Sequence, residues 1–134
     1  LHLRMQRHNE SALRIARWLE GRSDVPKVFY PFLESHPQHA LAKAQMKGGS
    51  GIVSFDTGDA ERTRRMASAF KVFALAESLG GVESLVCHPV SMTHGSVPPE
   101  DRAKLGLTDS LLRLSVGVED VEDLIADLEQ ALKA

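Results

Sequence analysis

Leu111-Leu112-Arg113-Leu114-Ser115-Val116-Gly117-Val118-Glu119-Asp120-Val121-Glu122-Asp123-Leu124-Ile125-Ala126-Asp127-Leu128 reads as a strand followed closely by an amphipathic helix. Side chains alternate across a strand, so Leu112, Leu114 and Val116 share one face, and Leu111, Arg113, Ser115 and Gly117 share the other. In the helix Val121, Leu124, Ile125, Leu128 and Leu132 fall on one stripe. Glu119, Asp120, Glu122 and Asp123 crowd its positive N-terminal end, and Lys133 stands where the dipole favours a cation.

The same alternation of types runs upstream. A helical stripe of Met5, Ala12, Ile15, Ala16 and Leu19 predicts a first helix to about Glu20, stopped by Gly21 as a left-handed cap. Lys27 to Tyr30 is a strand closed by Pro31. Ser35-His36-Pro37-Gln38 has the form of a helix start, leading into Leu41, Ala44 and Met46 and ending at Gly48-Gly49. Gly51 to Asp56 is a strand. Asp59 caps a helix carrying Met66, Ala67 and Phe70 on one face. Lys71 to Glu77 and Glu83 to Cys87 are strand-like, Ser91 to Pro99 is a loop, and Pro98 to Leu105 is a brief helix. Strands and helices alternating with short connections give an α/β, two-layer domain. Several connections are too short for crossovers, so the sheet covered by these helices is antiparallel or mixed.

A chain of 134 residues, 43% hydrophobic and 25% charged, is sized and composed for one domain over residues 1–134. A net charge of −2 gives no sign of a nucleic-acid partner, and no apolar run is long enough to span a membrane. The single cysteine, Cys87, cannot close an internal disulfide, which points to a reducing, cytoplasmic home. The chain opens on Leu1 in mid-helix, as a piece of a longer chain would.

Few residues stand out as carriers of chemistry. His36 and His39 share a helical spacing, but no third or fourth ligand converges on them, so no metal is expected. Cys87 inside a strand reads as a small buried hydrophobe. Arg113 is different, because a guanidinium fork planted on a strand matches a carboxylate bidentately. From the pattern alone, an ion pair with one of the 18 acidic residues is the commoner use of such a side chain. Glu77-Ser78 ahead of Gly80-Gly81 places a carboxylate and a hydroxyl at a strand end, where glycine lets backbone approach a ligand or simply turn.

These residues lie in a series of motifs. Ala76-Glu77-Ser78-Leu79-Gly80-Gly81-Val82-Glu83-Ser84-Leu85, then His88-Pro89 with Ser91-Met92-Thr93-His94-Gly95-Ser96, then Leu112 to Asp120 running on to Leu128, and the opening Arg4 to Asn9, occur in this order. Together they resemble the Cys/Met-metabolism pyridoxal-phosphate (PLP) enzymes of the cystathionine γ-synthase and γ-lyase type. The resemblance covers essentially the whole chain. It implies the small C-terminal domain of a fold type I PLP transferase, whose N-terminal PLP-lysine domain is absent from this chain and whose complete form is a homotetramer.

The resemblance also implies roles. Arg113 would hold the substrate α-carboxylate, with Ser78 helping to orient it. Thr93 would lie in a loop facing the active site. Glu77 would set the substrate, pairing with the distal ammonium of cystathionine where the methionine γ-lyase branch carries a small apolar residue. Pyridoxal 5′-phosphate would belong to the upstream half, since that family holds it through a lysine following threonine and none of the six lysines here does. This piece alone is therefore expected to be inactive and to need that half as partner. Synthase and lyase stay undivided. A methionine γ-lyase-type enzyme, or a detached module that binds amino acids without catalysis, are the alternatives.

Overall fold

The computed structural model describes residues 1–134, all of the chain. The order of elements is α1 (His2–Glu20), β1 (Lys27–Phe29), α2 (His39–Gln45), β2 (Ile52–Asp56), α3 (Ala60–Ala69), β3 (Ala74–Leu75), β4 (Leu85–Cys87), α4 (Pro99–Lys104), β5 (Leu111–Ser115) and α5 (Val121–Leu132). The strands form one sheet in the order β1-β2-β5-β4-β3. All neighbours are antiparallel except β3 and β4, which run parallel, so the sheet is mixed.

Alternation along the strands decides which face is covered. Val53, Phe55, Val86, Leu112 and Leu114 point to one side and meet Ala12, Ile15, Ala16 and Leu19 of α1, Met66 of α3, and Leu124, Leu128, Ala131 and Leu132 of α5. Helices therefore form one layer and the sheet the other, as the α/β reading expects. Each fully buried leucine in this layer contributes about 1.5–3 kcal/mol by leaving water. Arg113, Ser115 and Cys87 are not part of this cluster. They lie on the opposite face of the sheet, with Ser54 of β2 in register beside Arg113.

Local rules account for most element ends. Asp59 caps α3 as expected, accepting from the Glu61 and Arg62 amides at 2.8 and 3.1 Å. Asp120 caps α5 through the Glu122 amide. Gly21 departs from expectation: it keeps right-handed helical angles (φ −73°, ψ −6°), and α1 ends with the Gly21 amide donating to the Arg17 carbonyl and the Arg22 amide to the Leu19 carbonyl. The Ser35-to-Gln38 helix start is also corrected. The Ser35 hydroxyl donates to the Glu20 carboxylate instead of capping, and α2 begins only at His39. With Leu41 and Met46 exposed and only Ala42 buried, α2 is a surface helix. Met5, Leu1 and Leu3 are likewise outside the core, so the buried stripe of α1 starts at His8.

The strand expected over Lys71 to Glu77 shrinks to Ala74–Leu75, and Asp127 is the reason. Its carboxylate accepts from the Lys71, Val72 and Phe73 amides at 2.8–2.9 Å, taking the donors a longer strand would have used. Burial pushes the Asp127 carboxyl upward, but these three amides and Gln130 outweigh it and hold it below the ordinary carboxylate range. Asp24 is also held low, to about 2, chiefly by its bond with Arg22 and further by Arg62.

Both groups titrate lower folded than unfolded, where a carboxyl sits near about 4. Their stabilisation is therefore complete above that value and lost as pH falls toward 2. The urea midpoint should decline steadily from pH 5 to pH 2. Asp127→Ala, which strands three amide donors, should cost about 3 kcal/mol, or roughly 10 °C in Tm. A flat midpoint over that range, or an unchanged Tm, would show that these bonds add nothing.

Candidate functional site

Arg113 occupies the middle of the central strand, where the ladder holds its backbone from both sides. Ser54 of β2 and Cys87 of β4 are its direct partners. One guanidinium nitrogen, Nη2, donates to the backbone carbonyl of Glu77 at 2.9 Å. The Nε–H is buried and has no partner at all. Buried donors are nearly always bonded, and leaving one unmade costs about 1–3 kcal/mol or more for a charged group. Arg113 makes no salt bridge. The ion-pair use of this arginine therefore does not occur, and the guanidinium retains a free donor edge suited to a planar anion.

Glu77 and Ser78 are brought to this arginine by the Glu77 carbonyl, and both residues are exposed. Thr93 is one residue further away: its hydroxyl lies 3.9 Å from the Cys87 thiol, which stands across the β4–β5 ladder from Arg113, and 2.7 Å from His94 Nδ1. Cys87 is buried and free, as a small hydrophobe would be, yet it lies on the Arg113 side of the sheet. The structure thus ties Arg113 to the backbone of Glu77, with Ser78 next in the chain, and places Thr93 near Cys87 on the neighbouring strand.

Two groups of residues have a different part than the sequence suggested. Ser115, Ser84 and Glu119 tie the Glu77-to-Ser84 segment to β5 and the turn after it. Ser115 Oγ accepts from the Gly80 amide at 2.8 Å, and the Glu119 carboxylate receives both the Ser84 amide and hydroxyl. The spacing of two between Arg113 and Ser115 was the available signal. The histidines, by contrast, serve the backbone: His36 accepts from the Gln38 amide and His39 bonds the Pro31 carbonyl. No cluster of three or more His, Cys, Asp or Glu side chains converges. A concavity lined by Glu61, Arg64 and Arg65 of α3 does not include Arg113.

Lys27 and Lys43 stack over Phe29 and Phe32, while Lys104 and Lys133 pair with Asp101 and Glu129. No helix is long and apolar enough to cross a membrane.

The domain is thus an α/β sheet-and-helix layer whose central strand carries Arg113 beside the exposed Glu77-Ser78 loop. The family profile described as Cys/Met metabolism PLP-dependent enzyme matches residues 1–133, and the chain belongs to that family. It is 54% identical over 133 residues to a cystathionine gamma-lyase of Dictyostelium discoideum, covering 98% of this chain and 34% of that protein. It is 50% identical to a cystathionine beta-lyase of Coxiella burnetii over 98% of this chain and 34% of that protein. The crystal structure of a cystathionine gamma synthase from Xanthomonas oryzae, in complex with aminoacrylate and cysteine, superposes with a TM-score of 0.94 at 46% identity, over 98% of this chain and 34% of that one. The chain thus spans about a third of the length of these relatives.

Proposed function

We propose that this chain forms the substrate-carboxylate side of a PLP-dependent trans-sulfuration enzyme that acts at the γ-carbon of cystathionine or of homoserine-derived amino acids. The observation that carries the reading is the buried, unpartnered Nε–H of Arg113 beside the Glu77-Ser78 loop. A substrate α-carboxylate would pair with the part of the guanidinium that stays open, with the Ser78 hydroxyl beside it. Held at one end by the guanidinium, the substrate has its α-carbon fixed in orientation, a positioning effect that can be worth several kcal/mol of barrier. Glu77, exposed on the same loop, would receive the distal ammonium of cystathionine.

Pyridoxal phosphate, when bound by the remaining two thirds of the enzyme, supplies the electron sink for chemistry at the substrate carbon skeleton. None of the lysines of this chain fits as its anchor, so that chemistry needs the other half as partner. The complete enzyme is proposed as a homotetramer in the cytoplasm, a reducing compartment in keeping with the free thiol of Cys87.

Turnover of cystathionine by the holoenzyme tests the reaction. Cleavage at the γ-carbon, with uptake of water, releases cysteine, 2-oxobutanoate and ammonia. Release of homocysteine and pyruvate instead would mark β-cleavage and overturn the assignment. Glu77→Val tests the substrate: the ratio of kcat/KM for cystathionine to that for methionine should fall by about tenfold or more, since a carboxylate–ammonium pair is lost. An unchanged ratio would remove Glu77 from the specificity of the enzyme.

A further inference from the structure

Two side chains of β5, two residues apart on the same face, grip one loop at two points. Arg113 holds the Glu77 carbonyl, and Ser115 Oγ accepts the Gly80 amide at 2.8 Å. Ser78 lies between those anchors. Gly80 stands in the left-handed region (φ +79°) with nothing within 4 Å of where a Cβ would be, so steric packing does not set its place. The hydroxyl does, helped by Arg4, which reaches the Gly80 carbonyl from α1 at 3.2 Å. Ser115 is itself immobilised: it is 2% exposed and sits in the ladder between Ile52 and Leu85.

We propose that Ser115 is a positioning residue for the carboxylate site, fixing Ser78 against Arg113 through the Gly80 amide. The proposal rests on the reading of Arg113 and Ser78 given above. Its physical content is a separation of stability from geometry. Gly80 is exposed, so without the serine hydroxyl its amide bonds to water and folding loses little. What is lost is the position of Ser78 relative to the guanidinium, and a displacement of about 1 Å at a binding group can cost up to a hundredfold. A serine that merely filled space would show the opposite pattern.

The test uses the holoenzyme that contains this chain. Ser115→Ala should raise KM for the amino-acid substrate about tenfold with kcat changed by less than about twofold, and leave Tm within about 2 °C. Ser115→Thr keeps the hydroxyl, and its extra methyl has room in a cavity of about 120 Å³ that Ser115 lines with Met5, His8, Ile52 and Leu79. It should restore KM to within about threefold of the parent. Arg113→Ala, assayed alongside, separates the two claims. If it leaves KM unchanged, the carboxylate reading fails and this proposal with it. If Arg113→Ala raises KM and Ser115→Ala does not, the positioning role alone is overturned. A fall in Tm accompanied by no rescue from threonine would likewise overturn it, by making Ser115 a packing residue.

Discussion

Arg113→Ala in the holoenzyme lowers kcat/KM for the amino-acid substrate by about two to three orders of magnitude, mostly through KM. The size follows from what is removed. Truncating one partner of a close, desolvated charge pair costs about 2–5 kcal/mol, and each 1.4 kcal/mol is a factor of ten. Arg113→Lys recovers little, because a point charge on a flexible stem cannot present two parallel donors to a carboxylate. Stability moves independently. The Nε–H of Arg113 is buried with no partner, so the arginine is a burden on the empty chain. Arg113→Met, which keeps the aliphatic stem and removes that donor, should leave Tm unchanged or raise it by a few degrees. A large fall in Tm with KM intact would show instead that Arg113 is a structural tie to Glu77. Kinetics and thermal unfolding on the two variants decide the matter.

The face on which Arg113 lies was legible because β5 alternates strictly, and one strand residue in two must point away from the helices. The α5 stripe and the Asp59 cap were legible for the same kind of reason: each is a local pattern with a fixed period or offset. Asp127 was not. On a helical wheel it belongs with the acidic residues of α5, yet it is 4% exposed and bonded to amides 54 to 56 residues earlier. Nothing periodic announces a pairing of that sequence separation. Ser35 misled by the converse route, since a serine ahead of His-Pro-Gln fits a cap, but the Glu20 carboxylate 15 residues upstream claims its hydroxyl. The site divides in the same way. The residue types at Glu77, Ser78 and Arg113 were readable, while the bonds that hold the loop carrying two of them against the third were not. Those bonds come from Ser84, Ser115 and Glu119, 33 to 35 residues apart in the chain from their partners.

The tightest of those approaches is at Gly117, and Gly117→Ala should be the most destabilising single methyl in the molecule. A Cβ at this position would lie 2.2 Å from the Val82 carbonyl oxygen, 2.3 Å from Glu119 Oε1 and 2.7 Å from the Glu83 carbonyl carbon. The Glu119 side chain is able to swing aside, but only by releasing the Ser84 amide and hydroxyl that it holds at 2.8 and 2.9 Å. The backbone atoms have no such freedom. Val118 N–H bonds the Val82 carbonyl at 2.9 Å, and Gly117 N–H bonds Ser84 Oγ at 2.8 Å, so the two segments are stitched together on both sides of the clash. Overpacking costs about 1–3 kcal/mol, and stranding the buried Ser84 groups adds about 1–3 kcal/mol more. A loss near 4 kcal/mol, or about 15 °C in Tm, is expected. Gly80→Ala is the control, since it meets open space and bears only the conformational penalty of a left-handed residue, about 1 kcal/mol. If Gly117→Ala falls no further than Gly80→Ala, the close approach is not rigid. If it falls as expected, the Glu77-to-Ser84 loop is clamped at its far end by backbone contact. The near end, where the Glu77 carbonyl meets Arg113, is then held by the side chains of β5 together with Arg4 and the Ala76–Val86 backbone bond.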